Sequence, residues 1–124
     1  MQVGISTASL FSRCDLEDAP KCIAALGGQV CEVFLNTFSE YEEEFIDTLI
    51  RQLQRYGLSV YSVHPMGTQF EPQLFSLYAR QRKDATAIFE QVLRAGRSMG
   101  ATYYTMHGPG SMGGTAKNME LNRI

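Results

Sequence analysis

His64 and His107 are the only histidines in the chain, and they occupy matching settings, Ser62-Val63-His64-Pro65-Met66-Gly67 and Thr105-Met106-His107-Gly108-Pro109-Gly110. Each follows a run of β-branched or aromatic residues and stands at the last strand position before Pro and Gly enforce a turn. On neighbouring parallel strands, both imidazoles would project from the same sheet edge, where ligands bind in α/β folds. Neutral imidazole is a common ligand for zinc and similar ions, and it also carries protons near neutral pH. Singly, each histidine is as readily a hydrogen-bonded structural residue as a ligand. As a pair at equivalent strand ends, they point to a metal or acid-base site. A catalytic zinc takes about three protein ligands plus an open position, so two imidazoles do not complete one.

Glu32 is the next candidate, because it sits inside the apolar run Val30-Cys31-Glu32-Val33-Phe34-Leu35. An unpaired carboxylate is costly there. Two readings stay open: Glu32 is paired at a polar centre, or it lies at an edge or strand end that reaches water. Gly108-Pro109-Gly110 and Gly113-Gly114 could offer amides to a phosphate, but their spacing is neither a P-loop nor a dinucleotide fingerprint, and they read as a loop. Cys14, Cys22 and Cys31 match no zinc spacing and are expected to be reduced, buried, small apolar side chains.

The elements that must position these residues alternate. Val3 to Ser6 reads as a first strand. A helix follows, with Asp18 as N-cap, Pro20 in its first turn, and Ala19, Cys22, Ile23 and Leu26 on one face before Gly27-Gly28. Val30 to Leu35 is the second strand. Ser39-Glu40-Tyr41-Glu42 has capping-box spacing, with Glu43, Glu44 and Asp47 at the positive end of the next helix. Ile46, Leu49, Ile50 and Leu53 form its buried stripe, and Gly57 is its C′ residue.

The third strand spans about Ser59 to His64. After a loop from Gly67 to Pro72, a long helical stretch runs to about Met99; Ala85, Ile88, Phe89 and Val92 repeat the helical spacing, and Gly96 weakens it. Ala101 to His107 is the fourth strand. Arg80, Arg82, Lys83, Arg94 and Arg97 read as the solvated face of that last helix. Strands alternating with helices indicate a parallel sheet with right-handed crossovers. The pattern alone leaves open whether the sheet is open or closes into a barrel.

The chain has 124 residues, 44% hydrophobic and 19% charged, with a formal net charge of −2, a composition ordinary for one globular domain or part of one. The acidic balance argues against nucleic acid as a partner. No apolar run approaches membrane-spanning length, and no basic segment with a long apolar stretch opens the chain, so a cytoplasmic location is expected.

Val3-Gly4-Ile5-Ser6, the segment Gly27 to Phe34, Ser62-Val63-His64-Pro65 and Thr105-Met106-His107-Gly108-Pro109-Gly110 together resemble the first half of the xylose-isomerase-like TIM barrels. That superfamily holds sugar phosphate isomerases and epimerases and the endonuclease IV type of apurinic endonuclease. The resemblance runs over nearly the whole chain. It implies an α/β fold of parallel βα repeats, with residues 1–124 as a single half-barrel domain of about four strands and three to four helices.

In the endonuclease branch, histidines at the ends of the third and fourth strands bind zinc with a glutamate from the fifth; by resemblance these are His64 and His107. In the epimerase branch the divalent metal is held mainly by residues of strands five to eight, while the first half shapes the substrate pocket. Glu32 resembles the second-strand glutamate of the isomerase-like members and is carried over as substrate-binding.

The chain departs from the family in stopping at Ile124, where a full barrel typically takes about 250 residues. The resemblance therefore implies catalytic residues beyond Ile124 and, here, an incomplete site for a divalent metal (Zn, Mn or Mg). It implies the N-terminal part of a sugar phosphate isomerase/epimerase-like enzyme, inactive as this chain alone. The alternatives are a zinc-dependent apurinic endonuclease, and an inactive half-barrel or assembly module. The expected partners are a small sugar or sugar phosphate, and a second copy of the chain or a missing C-terminal half.

Overall fold

A computed structural model describes residues 1–108 of the chain. Four strands, β1 (Ile5–Ser6), β2 (Val30–Leu35), β3 (Ser59–Pro65) and β4 (Tyr103–Tyr104), alternate with three helices, α1 (Ala19–Ala25), α2 (Glu43–Arg55) and α3 (Ala79–Ser98). The strands form one parallel sheet in the order β1-β2-β3-β4, so each βα unit lays its strand beside the last. No helix among the described residues is long and apolar enough to cross a membrane.

Strand alternation decides which side becomes core. On β2, Cys31, Val33 and Leu35 are buried, whereas Val30, Glu32 and Phe34 are half-buried on the opposite face. The buried set joins Ile23 of α1, Ile46, Leu49 and Leu53 of α2, Val92 and Ala95 of α3, and Val60 and Val63 of β3 in one apolar cluster. The helices thus cover one face of the sheet. The other face carries Ser6, Glu32, Tyr61, Ser62, Tyr103 and Thr105 around an open cavity of about 620 Å³.

The β2–β3 register contains one irregularity that matters for function. Cys31 pairs with Val60, but Glu32 pairs with Ser62, so Tyr61 is an extra residue bulged out of the ladder. Strict period-two alternation would put Val60, Ser62 and His64 on a single face. The bulge resets the phase after Val60, and Ser62 and His64 turn to the open face, opposite Glu32 and Phe34. Tyr61 stacks obliquely on Tyr103, with ring centroids 4.8 Å apart.

Several local expectations are corrected. Ser39 and Glu42 do not form a capping box: Phe38–Tyr41 is a separate 3-10 turn, and α2 starts after an extended Glu42 with no side-chain cap. Glu42 instead accepts a hydrogen bond from Gln91 of α3 at 3.2 Å, and the Glu40 carboxylate reaches back to the Asn36 backbone N–H. Asp18 flanks α1 as expected but makes no cap hydrogen bond, because a 3-10 turn over Leu16–Asp18 already winds the chain into the helix. Of the three cysteines only Cys31 is fully buried; Cys14 and Cys22 are half-exposed.

β1 begins at Ile5 rather than Val3, and the long helix begins only at Ala79, after 3-10 turns at Gly67–Gln69 and Glu71–Phe75. Gly96 is used for close approach: a Cβ there would lie 2.7 Å from a Val63 methyl, so its absence lets α3 rest on β3. β4 is far shorter than Ala101 to His107. Its ladder continues to the Thr105 N–H, which donates to the Val63 carbonyl at 2.9 Å, and then the chain leaves the sheet. The glycines beyond Gly108 lie outside the described residues.

Candidate functional site

Glu32 is paired at a polar centre, and a quarter of its side chain remains open to the cavity. Its carboxylate accepts hydrogen bonds from Ser6 Oγ, Ser62 Oγ and Thr105 Oγ1, each at 2.9 Å, and stands 3.2 Å from His64 Nδ1. One side chain on β2 therefore ties together β1, β3 and the exit of β4. Burial alone would raise the Glu32 pKa, but the hydrogen bonds from Thr105, Ser6, Ser62 and His64 outweigh it and hold the carboxyl below its ordinary value.

A group depressed in the folded state stabilises the fold above its unfolded pKa, and that contribution is lost as pH falls through the lowered folded value. Glu32→Gln is accordingly expected to lower the melting temperature at neutral pH and to lose most of that deficit below the ordinary carboxyl value of 4.5. Thermal melts of both proteins across pH check this; a deficit independent of pH would contradict it.

The structure brings His64 and His107 together. Their Nε2 atoms are 3.1 Å apart, at the edge of the sheet where β3 ends. The His64 ring packs edge-on against Phe34, centroids 4.8 Å apart, and is the more buried of the two imidazoles. His107 lies three residues past β4 rather than on its last position, and its Nδ1 stands 3.2 Å from Glu71 Oε2.

Glu71 is the residue that sequence reasoning missed. It sits in a turn read as loop, yet it is completely buried. Its Oε1 accepts from the Tyr104 hydroxyl and its Oε2 from the His107 backbone N–H, both at 2.9 Å. Burial, reinforced by the hydrogen bond to Glu71 and its charge, pushes the Tyr104 phenol well above its ordinary pKa. The available signal was slight: an acid immediately after the buried Phe70 and before Pro72.

The two imidazoles share one design. Each Nδ1 faces a carboxylate, which can only accept, so the single proton of a neutral ring belongs on Nδ1 and the lone pair on Nε2. Two lone pairs aimed at each other across 3.1 Å repel unless a proton or a metal ion lies between them. Two nitrogens about 2.0–2.1 Å from one tetrahedral ion stand about 3.3 Å apart, close to the spacing found. Carboxylate-backed imidazole is also the usual outer arrangement of a metal-binding histidine. The donor set thus fits a divalent ion held by His64 and His107, although among the described residues no third His, Cys, Asp or Glu completes a cluster.

No family model matches the chain, and no curated protein matches it in sequence. Among solved structures it is similar to a D-psicose 3-epimerase determined in the presence of D-fructose, with a TM-score of 0.69 and 16% sequence identity over 95% of this chain. The match covers 43% of the epimerase chain, so this chain spans less than half of that protein's length. At that identity the likeness speaks to the fold, and with the sheet order β1-β2-β3-β4 it shows what the fold is: four parallel strands with alternating helices, as in half a TIM barrel.

Proposed function

We propose that this chain is the N-terminal part of a divalent-metal-dependent isomerase or epimerase acting on a sugar or sugar phosphate. The single observation that carries the proposal is the facing pair of Nε2 atoms on His64 and His107, each ring backed by its own carboxylate. A divalent ion held there would polarise a sugar carbonyl or hydroxyl. Nitrogen donors suit Zn²⁺ or Mn²⁺ better than Mg²⁺. The open cavity on the same sheet face is lined by Ser6, Ser62, Thr105, Tyr61 and Tyr103, a mixed surface suited to a polyol, and it joins the histidine pair through Glu32, which lines it and stands 3.2 Å from His64 Nδ1. Glu32 lies beneath them; a substrate hydroxyl reaches its carboxylate by replacing one of its present donors.

The described residues hold no second acid or base free to move a proton at a substrate carbon, so the chain alone is expected to bind metal and sugar without substantial turnover. Incubation with aldoses and ketoses and added Zn²⁺, Mn²⁺ or Mg²⁺, followed by proton exchange at carbon in D₂O, tests this. Metal-dependent exchange abolished by His107→Ala would overturn the division of labour, and absence of any metal or sugar binding would overturn the reading itself.

One observation favours a second reading. His64 lies at the end of the third strand and His107 just past the fourth, the positions that in the resembling apurinic endonucleases hold zinc. Incision of abasic DNA would decide for it, against the acidic balance of the chain. Under either reading the open sheet face calls for a second half-barrel, and for the chain by itself we take this to be a second copy.

A further inference from the structure

A fully buried carboxylate is costly unless every lone pair direction meets a donor, and Glu71 is the only completely buried acid among the described residues. We propose that Glu71 is the positioning residue of His107: it takes the Nδ1–H of the imidazole and so leaves the Nε2 lone pair turned toward His64. The purpose of that arrangement rests on the metal-site reading above; the arrangement itself does not.

His107 is gripped at two points. Its backbone N–H and its ring Nδ1 both meet Oε2 of Glu71, at 2.9 and 3.2 Å, while the Tyr104 hydroxyl holds Oε1 at 2.9 Å. A residue bonded through both backbone and ring cannot swing its imidazole without breaking a charge-assisted hydrogen bond. The Tyr104 ring packs edge-on against Phe89 of α3, centroids 5.2 Å apart, so one oxygen of the carboxylate is held by a side chain fixed against α3.

The turn after β3 is shaped around this carboxylate. A Cβ at Gly67 would lie between 2.1 and 2.4 Å from the Glu71 carboxylate atoms, so glycine is the residue that leaves the niche open. Glu71 also explains where β4 stops. The His107 N–H, which would otherwise extend the ladder, is diverted to the carboxylate, and the imidazole is carried out over the sheet edge to meet His64.

Nitrogen NMR of the imidazoles tests the proposal on the wild-type chain, freed of metal by chelator and held near pH 8, above the ordinary histidine pKa of about 6.5. His107 is expected to carry its proton on Nδ1. In Glu71→Gln, whose amide can present an N–H where the carboxylate only accepts, that preference should be lost and Zn²⁺ affinity should fall about 10- to 100-fold. Gly67→Ala should reproduce both effects by displacing the carboxylate. Glu90→Gln, which removes an exposed carboxylate from α3, should change neither.

If either niche variant fails to fold, the wild-type spectrum still decides. A His107 proton on Nε2, or a folded Glu71→Gln that keeps both the wild-type tautomer and the wild-type Zn²⁺ affinity, overturns the proposal. An Nδ1 tautomer in a chain that binds no Zn²⁺ supports the role of Glu71 and sinks the metal reading instead.

Discussion

Replacing either His64 or His107 with alanine should lower Zn²⁺ affinity on the order of 100-fold or more, beyond the roughly 10- to 100-fold expected from removing an outer carboxylate partner. The two Nε2 atoms lie 3.1 Å apart and would act on one ion as a unit, so the double variant should bind little worse than either single one. Competition with a chromogenic chelator measures the affinities. Linkage supplies an independent readout: free ion at 100 times Kd stabilises a folded chain by about 2.7 kcal/mol, and that increment should vanish in both variants. A single variant that keeps wild-type affinity, or a wild-type chain whose melting temperature ignores Zn²⁺, would remove the metal from this site.

The second large effect concerns assembly. Among the described residues β1 and β4 each have one strand neighbour, which leaves the far edge of each unpaired. The open face exposes Tyr61 and Tyr103 by more than half of their surface. Unpaired parallel edges and a bare aromatic face are what closure of an eight-stranded barrel removes. Two copies supply eight strands, with β1 of each paired to β4 of the other about a two-fold axis.

Sedimentation of the chain by itself is therefore expected to give about twice its 13.9 kDa mass. Like charges on that face, as in Tyr61→Lys with Tyr103→Lys, should shift it to monomer. A monodisperse wild-type monomer would contradict this assembly. A dimer that persists in the charged variant would place the contact elsewhere.

Much of the architecture was legible because the signals were periodic. The α2 stripe of Ile46, Leu49 and Leu53 is buried as its spacing requires. The pairing of His64 with His107 was legible for a related reason: equivalent strand ends in successive parallel units come together at one edge. What escaped was set by partners distant in sequence. Ser39 and Glu42 have capping-box spacing, but a buried Tyr41 and a Gln91 on another helix decide how the turn closes. Glu71 lies in a segment with no periodicity. Its burial depends on Tyr104 and His107, more than 30 residues away, and on the missing side chain of Gly67. The bulge at Tyr61 is likewise invisible in β3 alone, since only the register against β2 reveals it.

That bulge gives position 61 an unusual tolerance. Removing Tyr61 would leave Val60-Ser62-Val63-His64, which alternates inward and outward without interruption and keeps His64 on the open face. Losing Val63 instead, or gaining a residue between Ser62 and His64, would rotate the imidazole to the helix side and put an apolar residue in its place. In the vocabulary of insertions and deletions, β3 carries one spare letter, and its reading frame is fixed on the histidine side of it.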